Sequence, residues 1–162
     1  LTLNINYPVH KTTQLLLSIE NASGVSVAGS VNPSFTLTNA SSSISYPIPV
    51  SELSVSSGII TVIVKTAAGT EVDRKTVLLH CDIDCCLTKL TNELIECSCD
   101  CAKCASSLAK AQKILLLLTS ADYAIVQAND SEVNARPGFI LDANSKYLKA
   151  KEVCDNSCGC DC

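Results

Sequence analysis

The sequence predicts an α+β protein of two domains, a β-sandwich over residues 1–80 followed by a cysteine-rich domain of three helices over residues 81–162. Two observations predict this division. All 11 cysteines of the 162-residue chain lie at Cys81 or later, and near that point the apolar spacing changes from every second residue to every third or fourth. Because units of about 80 residues bury only a modest core, cross-links or metal ions are the usual supplement to their stability.

The first 80 residues have the pattern of short strands joined by turns. Six segments rich in Val, Ile, Leu and Thr are separated by clusters of Ser, Asn, Gly and Pro. The predicted strands are Thr2–Val9, Gln14–Glu20, Phe35–Asn39, Ile44–Val50, Ile59–Lys65 and Val72–Leu79. The last two flank Ala67–Thr70, a short Gly-containing connection typical of a β-hairpin. Strands at this spacing predict an immunoglobulin-like sandwich or one similar to it.

Helical spacing begins after Cys81. An amphipathic helix is predicted over Asp82–Cys97. Its apolar face is expected to consist of residues about three or four apart: Ile83, Cys86, Leu87, Leu90, Leu94 and Cys97. A third, shorter helix is predicted over Ala143–Cys154, after a loop that contains Arg136, Pro137 and Gly138. Its inner face is expected to contain Tyr147, Ala150 and Cys154.

The second helix is predicted over Ala102–Ala128. Its inner stripe is expected to contain Ala105, Leu108, Ala111, Leu115, Leu118 and Ala121. The run Ile114–Leu118 makes the centre of this helix apolar nearly all round. We therefore expect it to be buried between partners and the protein to be oligomeric.

Charge and hydropathy exclude several classes of function. Net charge is −4, from 12 Lys and Arg against 16 Asp and Glu, and no basic run is present, so nucleic-acid binding is not expected. The longest apolar stretch, Ile114–Leu118, is far short of the roughly 20 residues that span a membrane, which predicts a soluble protein.

The chain begins at Leu1, contains no Met and shows no signal peptide, which indicates a processed form or part of a longer chain.

The cysteines form three groups along the chain. They are Cys81, Cys85 and Cys86; Cys97, Cys99, Cys101 and Cys104; and Cys154, Cys158, Cys160 and Cys162. The first helix is long enough, roughly 22 Å, to keep the first group apart from the second. An antiparallel third helix would return the tail to the second group, with Cys154 able to meet either one.

Thiolate ligation of a metal is one interpretation of these groups. Cys-x-Cys and Cys-x-x-Cys spacings let neighbouring sulfurs face one ion, and zinc accepts four of them tetrahedrally. The predicted zinc ligands come from the second and third groups: Cys97, Cys99, Cys101, Cys104, Cys154, Cys158, Cys160 and Cys162. An odd total of 11 also fits thiolates that bridge metal ions.

Disulfide bonding is the second interpretation. Cysteines at the ends of elements are typical of an oxidised scaffold, and acidic neighbours such as Asp82, Asp100 and Asp155 disfavour thiolates. The odd count then requires a free thiol or a bond to a partner chain. An iron–sulfur or redox-catalytic site is the third interpretation.

Catalysis finds little support in the residue types. A cysteine nucleophile needs a nearby base, and the only histidines are His10 and His80. His10 is expected to be an ordinary surface residue, whereas His80 borders Cys81 and is a possible metal ligand. Cys101 and Cys104 have thioredoxin-like spacing but open a long helix among other cysteines. We expect a structural role for them and no enzymatic activity.

Three cysteine-containing runs resemble a known family. Cys81–Leu90, Glu96–Cys104 and Ala109–Leu118 are similar to cysteine-rich structural proteins encoded by tailed phages of marine and gut bacteria, and Cys154–Cys162 is similar as well. The resemblance covers about half of the chain. It implies a place in the virion, or alternatively on an extracellular surface, and implies no functional residues.

These observations predict a non-enzymatic structural or assembly protein of a phage virion or surface filament. Its expected partners are copies of itself and other virion or surface structural proteins, with neither nucleic acid nor a membrane. The alternative is a metal-handling protein whose thiols store or buffer zinc or copper.

Overall fold

The computed structural model describes residues 1–6, 13–37, 43–97 and 101–158, without the side chains of residues 3, 5, 6, 43, 44 and 158. Within these ranges the chain is α+β, with six strands followed by three helices. It divides into two compact units. The strand unit consists of Leu1–Ser56 and Ile60–Val77, and the helical unit consists of Ser57–Ile59 and Leu78–Cys162.

The strands and helices follow one another along the chain. The strands are β1 (Thr2–Asn6), β2 (Thr13–Asn21), β3 (Ser34–Leu37), β4 (Ser43–Pro47), β5 (Ser57–Thr66) and β6 (Glu71–His80). The helices are α1 (Cys81–Glu96), α2 (Cys101–Asp130) and α3 (Arg136–Cys158).

The strands form two sheets within the described residues. β1 pairs with β4 in an antiparallel ribbon, and the other four strands form an antiparallel sheet in the order β3-β2-β5-β6. The amide N–H of Thr66 donates to the carbonyl O of Thr70 at 2.8 Å, which closes the predicted hairpin between β5 and β6. Each of the six predicted strands is present. The predicted ends at Val9 and Asn39 lie outside the described residues, and β4 ends at Pro47 instead of Val50, where a 3-10 turn begins. The immunoglobulin-like sandwich stays a prediction, since only the sheets themselves are shown.

The four-stranded sheet carries the core of the strand unit. On β2, Leu15, Leu17 and Ile19 are buried at every second position, as a half-buried strand requires. On β5, every residue of Ile60–Val64 is buried, so both faces of this central strand are covered. The Thr61 hydroxyl within that run lies 3.0 Å from the Thr76 hydroxyl, which supplies the hydrogen bond that a buried polar group needs.

The helical unit has one apolar core between its three helices. Each helix contributes residues three or four positions apart, as one face of a helix requires. The buried residues are Ile83, Cys86 and Leu90 of α1, Ala111, Ile114 and Leu118 of α2, and Tyr147, Ala150 and Cys154 of α3. The inner face predicted for α3 is therefore confirmed. Of the face predicted for α1, Ile83, Cys86 and Leu90 are buried, and the rest is only partly buried: Leu87, Leu94 and Cys97. No helix within the described residues is long and apolar enough to cross a lipid bilayer.

Helix α3 is longer than the sequence pattern predicts. It begins at Arg136 instead of Ala143, and Pro137 is its second residue. Proline is tolerated in the first turn because the backbone N–H groups there have no acceptor within the helix. The expectation that Pro137 lies in a loop is therefore wrong. Its fixed backbone angle suits the first turn of the helix.

The burial of α2 is one-sided. Of the expected stripe, Ala111, Leu118 and Ala121 are buried. Ala105 is exposed, and Leu108 and Leu115 are 46% and 52% exposed. The true inner face is centred on Ile114, Leu118 and Ile125, because α1 and α3 both pack against that side. The opposite side of α2 is left exposed by the described residues, and its burial against a partner stays a prediction.

Candidate functional site

A disulfide joins the end of α1 to the first turn of α2. Cys97 follows the last residue of α1, and Cys104 is the fourth residue of α2. Their sulfurs are bonded, with the two Cα atoms 6.0 Å apart, which is within the usual range for a disulfide. The Cys104 sulfur also lies 3.6 Å from the carbonyl oxygen of Cys97. The bond therefore fixes the distance between two helices across a short connection.

The thiol of Cys101 lies beside this disulfide along the chain. Cys101 is the first residue of α2, is exposed, and carries a free thiol. It precedes Cys104 by three residues, which is close to one helical turn. Exposed cysteines also occur at the start of α1, where Cys81 is the first residue and Cys85 lies one turn further on. Helices α1 and α2 therefore each begin with an exposed cysteine.

Cys86 and Cys154 belong to the core instead. Both are buried among the apolar side chains of the helical unit. The Cys86 thiol donates to the carbonyl oxygen of Cys154 at 3.9 Å, a weak bond that links α1 with α3. Cys154 therefore lies with the first cysteine group, one of the two placements that the sequence allows.

The eight predicted zinc ligands do not form a metal site among the described residues. Cys99, Cys160 and Cys162 lie outside them, and the side chain of Cys158 is not described. Cys97 and Cys104 form the disulfide, Cys101 is exposed, and Cys154 is beside Cys86, about 16 Å along α1 from Cys97. No group of three or more His, Cys, Asp or Glu side chains within the described part of the chain is placed to hold one ion. Zinc ligation stays a prediction, and a disulfide-bonded Cys97 and Cys104 cannot supply thiolate ligands to it.

His80 lies at the end of β6, immediately before α1. Its Nδ1 atom is 2.7 Å from the Asp84 carboxylate, and both side chains are partly exposed. A carboxylate partner one turn into the helix is an ordinary surface contact, worth about 1 kcal/mol or less. His10 lies outside the described residues.

A polar network that the sequence did not predict ties the helical unit together. The Ser57 hydroxyl donates to Asp82 Oδ2 at 2.6 Å, and Lys151 Nζ donates to the same oxygen at 2.9 Å. Ser57 begins β5, Asp82 lies in the first turn of α1, and Lys151 belongs to α3. One carboxylate therefore connects three separate segments of the chain.

Electrostatic effects within this network follow from its partial burial. Desolvation by itself raises the pKa of Asp82, but the hydrogen bonds from Ser57 and Lys151 outweigh it and lower the pKa. The same bond to Asp82 raises the pKa of Lys151. Burial raises the pKa of Tyr147, and a hydrogen bond with Ser57 opposes part of that rise. The other Asp82 oxygen, Oδ1, is buried without a hydrogen-bond partner among the described residues.

A positively charged groove lies between the first half of α2 and the end of α3. Its volume is about 550 Å³. Leu117 and Val153 supply apolar lining, and the charged residues around it are Lys110, Lys113, Lys149 and Glu152. The local excess of lysine is opposite in sign to the net charge of the chain, which is −4. This face is therefore electrostatically complementary to an acidic surface.

Among the described helices, α2 carries the most large apolar side chains that are exposed. We call it the α2 stripe, and it consists of Leu108, Leu115, Leu116, Tyr123 and Val126. Leu116 and Tyr123 are the most exposed of these, at 71% and 67%. The sequence predicted that the centre of α2 is apolar nearly all round, but not which side of the helix α1 and α3 cover.

Comparison with known proteins identifies no relative. No protein-family model matches this chain, and neither the curated proteins nor the solved structures contain a match.

Proposed function

We propose that this protein is a non-enzymatic structural protein that assembles with copies of itself and with other structural proteins of a virion or surface filament. The α2 stripe is the observation that carries this proposal. Several exposed apolar side chains on one side of a helix are a candidate interaction site on a folded protein.

The spacing of the α2 stripe suits contact with another helix. Leu108, Leu115 and Val126 are seven and eleven residues apart, so they lie within about 20° of one another around the helix axis. Leu116 and Tyr123, also seven residues apart, widen the surface on one side. From Leu108 to Val126 the stripe extends about 27 Å along the helix. Helices that pack side by side present surfaces of this shape.

The remaining contacts of the helical unit support a fixed geometry for this surface. The Cys97–Cys104 disulfide holds α1 to α2, and the Asp82 network holds α1 to α3. An interaction surface on a rigid scaffold loses little conformational entropy on assembly, which suits a repeated structural part. The placement in a virion is supported by the resemblance of the cysteine runs to phage structural proteins.

Self-association of the purified chain tests the proposal. We expect the wild-type protein to sediment as an oligomer at micromolar concentration. Leu115→Glu together with Leu116→Glu should weaken association more than tenfold, because each apolar side chain buried at an interface contributes about 1.5–3 kcal/mol. Helical circular dichroism should be unchanged, since both residues are exposed.

Val133→Glu is the matched control. Val133 is also an exposed apolar residue, at 64%, but lies in the connection between α2 and α3. It should leave the sedimentation of the oligomer unchanged. A wild-type chain that remains monomeric at every concentration, or an equal effect of the control, would contradict assembly through the α2 stripe.

A further inference from the structure

We infer that Cys97, Cys101 and Cys104 form a thiol–disulfide exchange site, in which the Cys101 thiol attacks the Cys97–Cys104 bond and yields a second, isomeric disulfide between Cys101 and Cys104. The inference goes beyond the assembly proposal and does not rest on the α2 stripe. It rests on a disulfide and an exposed thiol placed within one helical turn of each other.

Cys104 lies within bonding range of both partners. Its Cα atom is 6.0 Å from that of Cys97. Residues three apart in an α-helix have Cα atoms about 5 Å apart, from the rise and radius of the helix, which places Cys101 at that distance. Disulfides form at Cα separations of about 4.4–6.8 Å. The backbone therefore permits either bond without moving the helix.

Exposure determines which sulfur can start the exchange. Cys101 is exposed, whereas Cys97 and Cys104 are half-buried. Cys97 lies just beyond the last residue of α1, with backbone angles outside the helical region. Thiol–disulfide exchange requires an accessible attacking sulfur and a leaving sulfur that can separate from it.

The exchange is balanced without an external oxidant or reductant. Cys101 loses its proton to solvent, and its thiolate forms a bond to the Cys104 sulfur. The bond between Cys104 and Cys97 breaks, and Cys97 departs as a thiolate that takes a proton from solvent. One disulfide and one thiol are present before and after the step. The products differ because the first isomer joins α1 to α2, whereas the second lies within α2 and releases the end of α1.

Differential alkylation with peptide mapping detects both isomers. Free thiols are blocked with N-ethylmaleimide at low pH, the protein is unfolded and digested with trypsin without reduction, and the peptides are sequenced by mass spectrometry. Cleavage after Lys103 separates Cys104 from Cys97, Cys99 and Cys101, because Leu90–Lys103 and Cys104–Lys110 are distinct tryptic peptides. Fragmentation of the linked pair then shows which cysteine carries the bond and which carries the label.

Single substitutions give the expected results. In the wild type, incubation in a glutathione redox buffer should produce a fraction with the label on Cys97 and the bond on Cys101. Cys101→Ser should abolish that fraction and keep the Cys97–Cys104 bond. Cys97→Ser should convert completely to the Cys101–Cys104 bond in the same buffer.

Cys99→Ser is the matched control, since Cys99 lies in the same tryptic peptide. It should leave the fraction of the second isomer unchanged. The inference is overturned if the second isomer never forms in the wild type, or if loss of Cys99 instead of Cys101 abolishes it. Because Cys101→Ser keeps the native bond, the test remains valid even where Cys97→Ser does not fold.

Discussion

Lys151 Nζ lies 2.9 Å from Asp82 Oδ2, so α3 is joined to the first turn of α1 by a charged hydrogen bond across 69 residues of sequence. Ser57 donates to the same carboxylate oxygen at 2.6 Å. The Asp82 side chain therefore helps to hold together three segments that are distant in sequence.

Substitution of Asp82 should destabilise the helical unit. We expect Asp82→Asn to lower the free energy of unfolding by about 1 kcal/mol. The value is modest because the Asp82 and Lys151 side chains are still 34% and 39% exposed, and solvent weakens their attraction. Urea unfolding followed by circular dichroism at 222 nm measures the change. Asp122→Asn, at an exposed position of α2, is the control and should have little effect. Equal stability of both variants would contradict a stabilising role for the network.

The same carboxylate predicts a dependence of stability on pH. The folded pKa of Asp82 lies below its ordinary value of 3.8, so the unfolded chain binds the proton more readily than the folded chain. The contribution of Asp82 is therefore complete well above pH 3.8 and is lost as the pH falls through the lower, folded pKa. Urea unfolding of the wild type and Asp82→Asn between pH 6 and pH 3 should show a stability difference that shrinks with acid. A stability difference that grows on acidification would contradict a folded pKa of Asp82 below its ordinary value.

Reduction of the Cys97–Cys104 disulfide should destabilise the helical unit. The bond closes a loop with a sequence separation of seven residues, and the chain-entropy relation for such a loop predicts a loss of roughly 2–3 kcal/mol on reduction. We expect dithiothreitol to lower the urea midpoint of the helical signal.

A chelator is the companion measurement for the predicted zinc site. We expect ethylenediaminetetraacetate alone to leave the helical signal of the oxidised protein unchanged, because Cys97 and Cys104 are then bonded to each other. Loss of helix with chelator alone would instead favour thiolate ligation, since metal binding and folding are coupled in small sites.

Substitution of Gly29 should strongly destabilise the strand unit. Its φ is +56°, and a Cβ atom added there would overlap the carbonyl oxygen of Glu52. Gly29→Ala should therefore combine left-handed backbone strain with overpacking and cost about 2–5 kcal/mol. Gly24→Ala is the control, because Gly24 has φ +75° but no atom near the added Cβ, and should cost about 1–2 kcal/mol. Thermal unfolding measures both. Equal losses would show that the clash with Glu52 is relieved without cost.

The strands and helices were largely predictable because local spacing determines them. The composition of Gln14–Glu20 predicts a strand, and the spacing of Ile83, Cys86 and Leu90 predicts one face of a helix. The main error, the late start of α3, came from Pro137, since proline terminates a helix in its interior but is tolerated in its first turn. That distinction depends on a helix boundary, which local sequence defines poorly.

The sulfur chemistry was predictable only in outline. Sequence spacing left metal ligation and disulfide bonding open for Cys97, Cys101 and Cys104. The Cα separation of 6.0 Å between Cys97 and Cys104 is a property of how α1 meets α2, and no spacing rule contains it. The Asp82 network was missed for the same reason. Ser57, Asp82 and Lys151 meet only after three segments have packed.

By itself, the sequence determined the strand-rich first half, the helical second half and the confinement of cysteine to the latter, because composition and periodicity are local properties of the chain. Only the tertiary structure decided which side of α2 is buried by the other helices and which side leaves Leu115 and Leu116 exposed. An apolar helix surface predicts that some of it is buried, but the positions of α1 and α3 determine which side that is. The cysteine pairing and the Asp82 network were decided in the same way, since both require atoms from separate elements to lie within a few ångströms of one another.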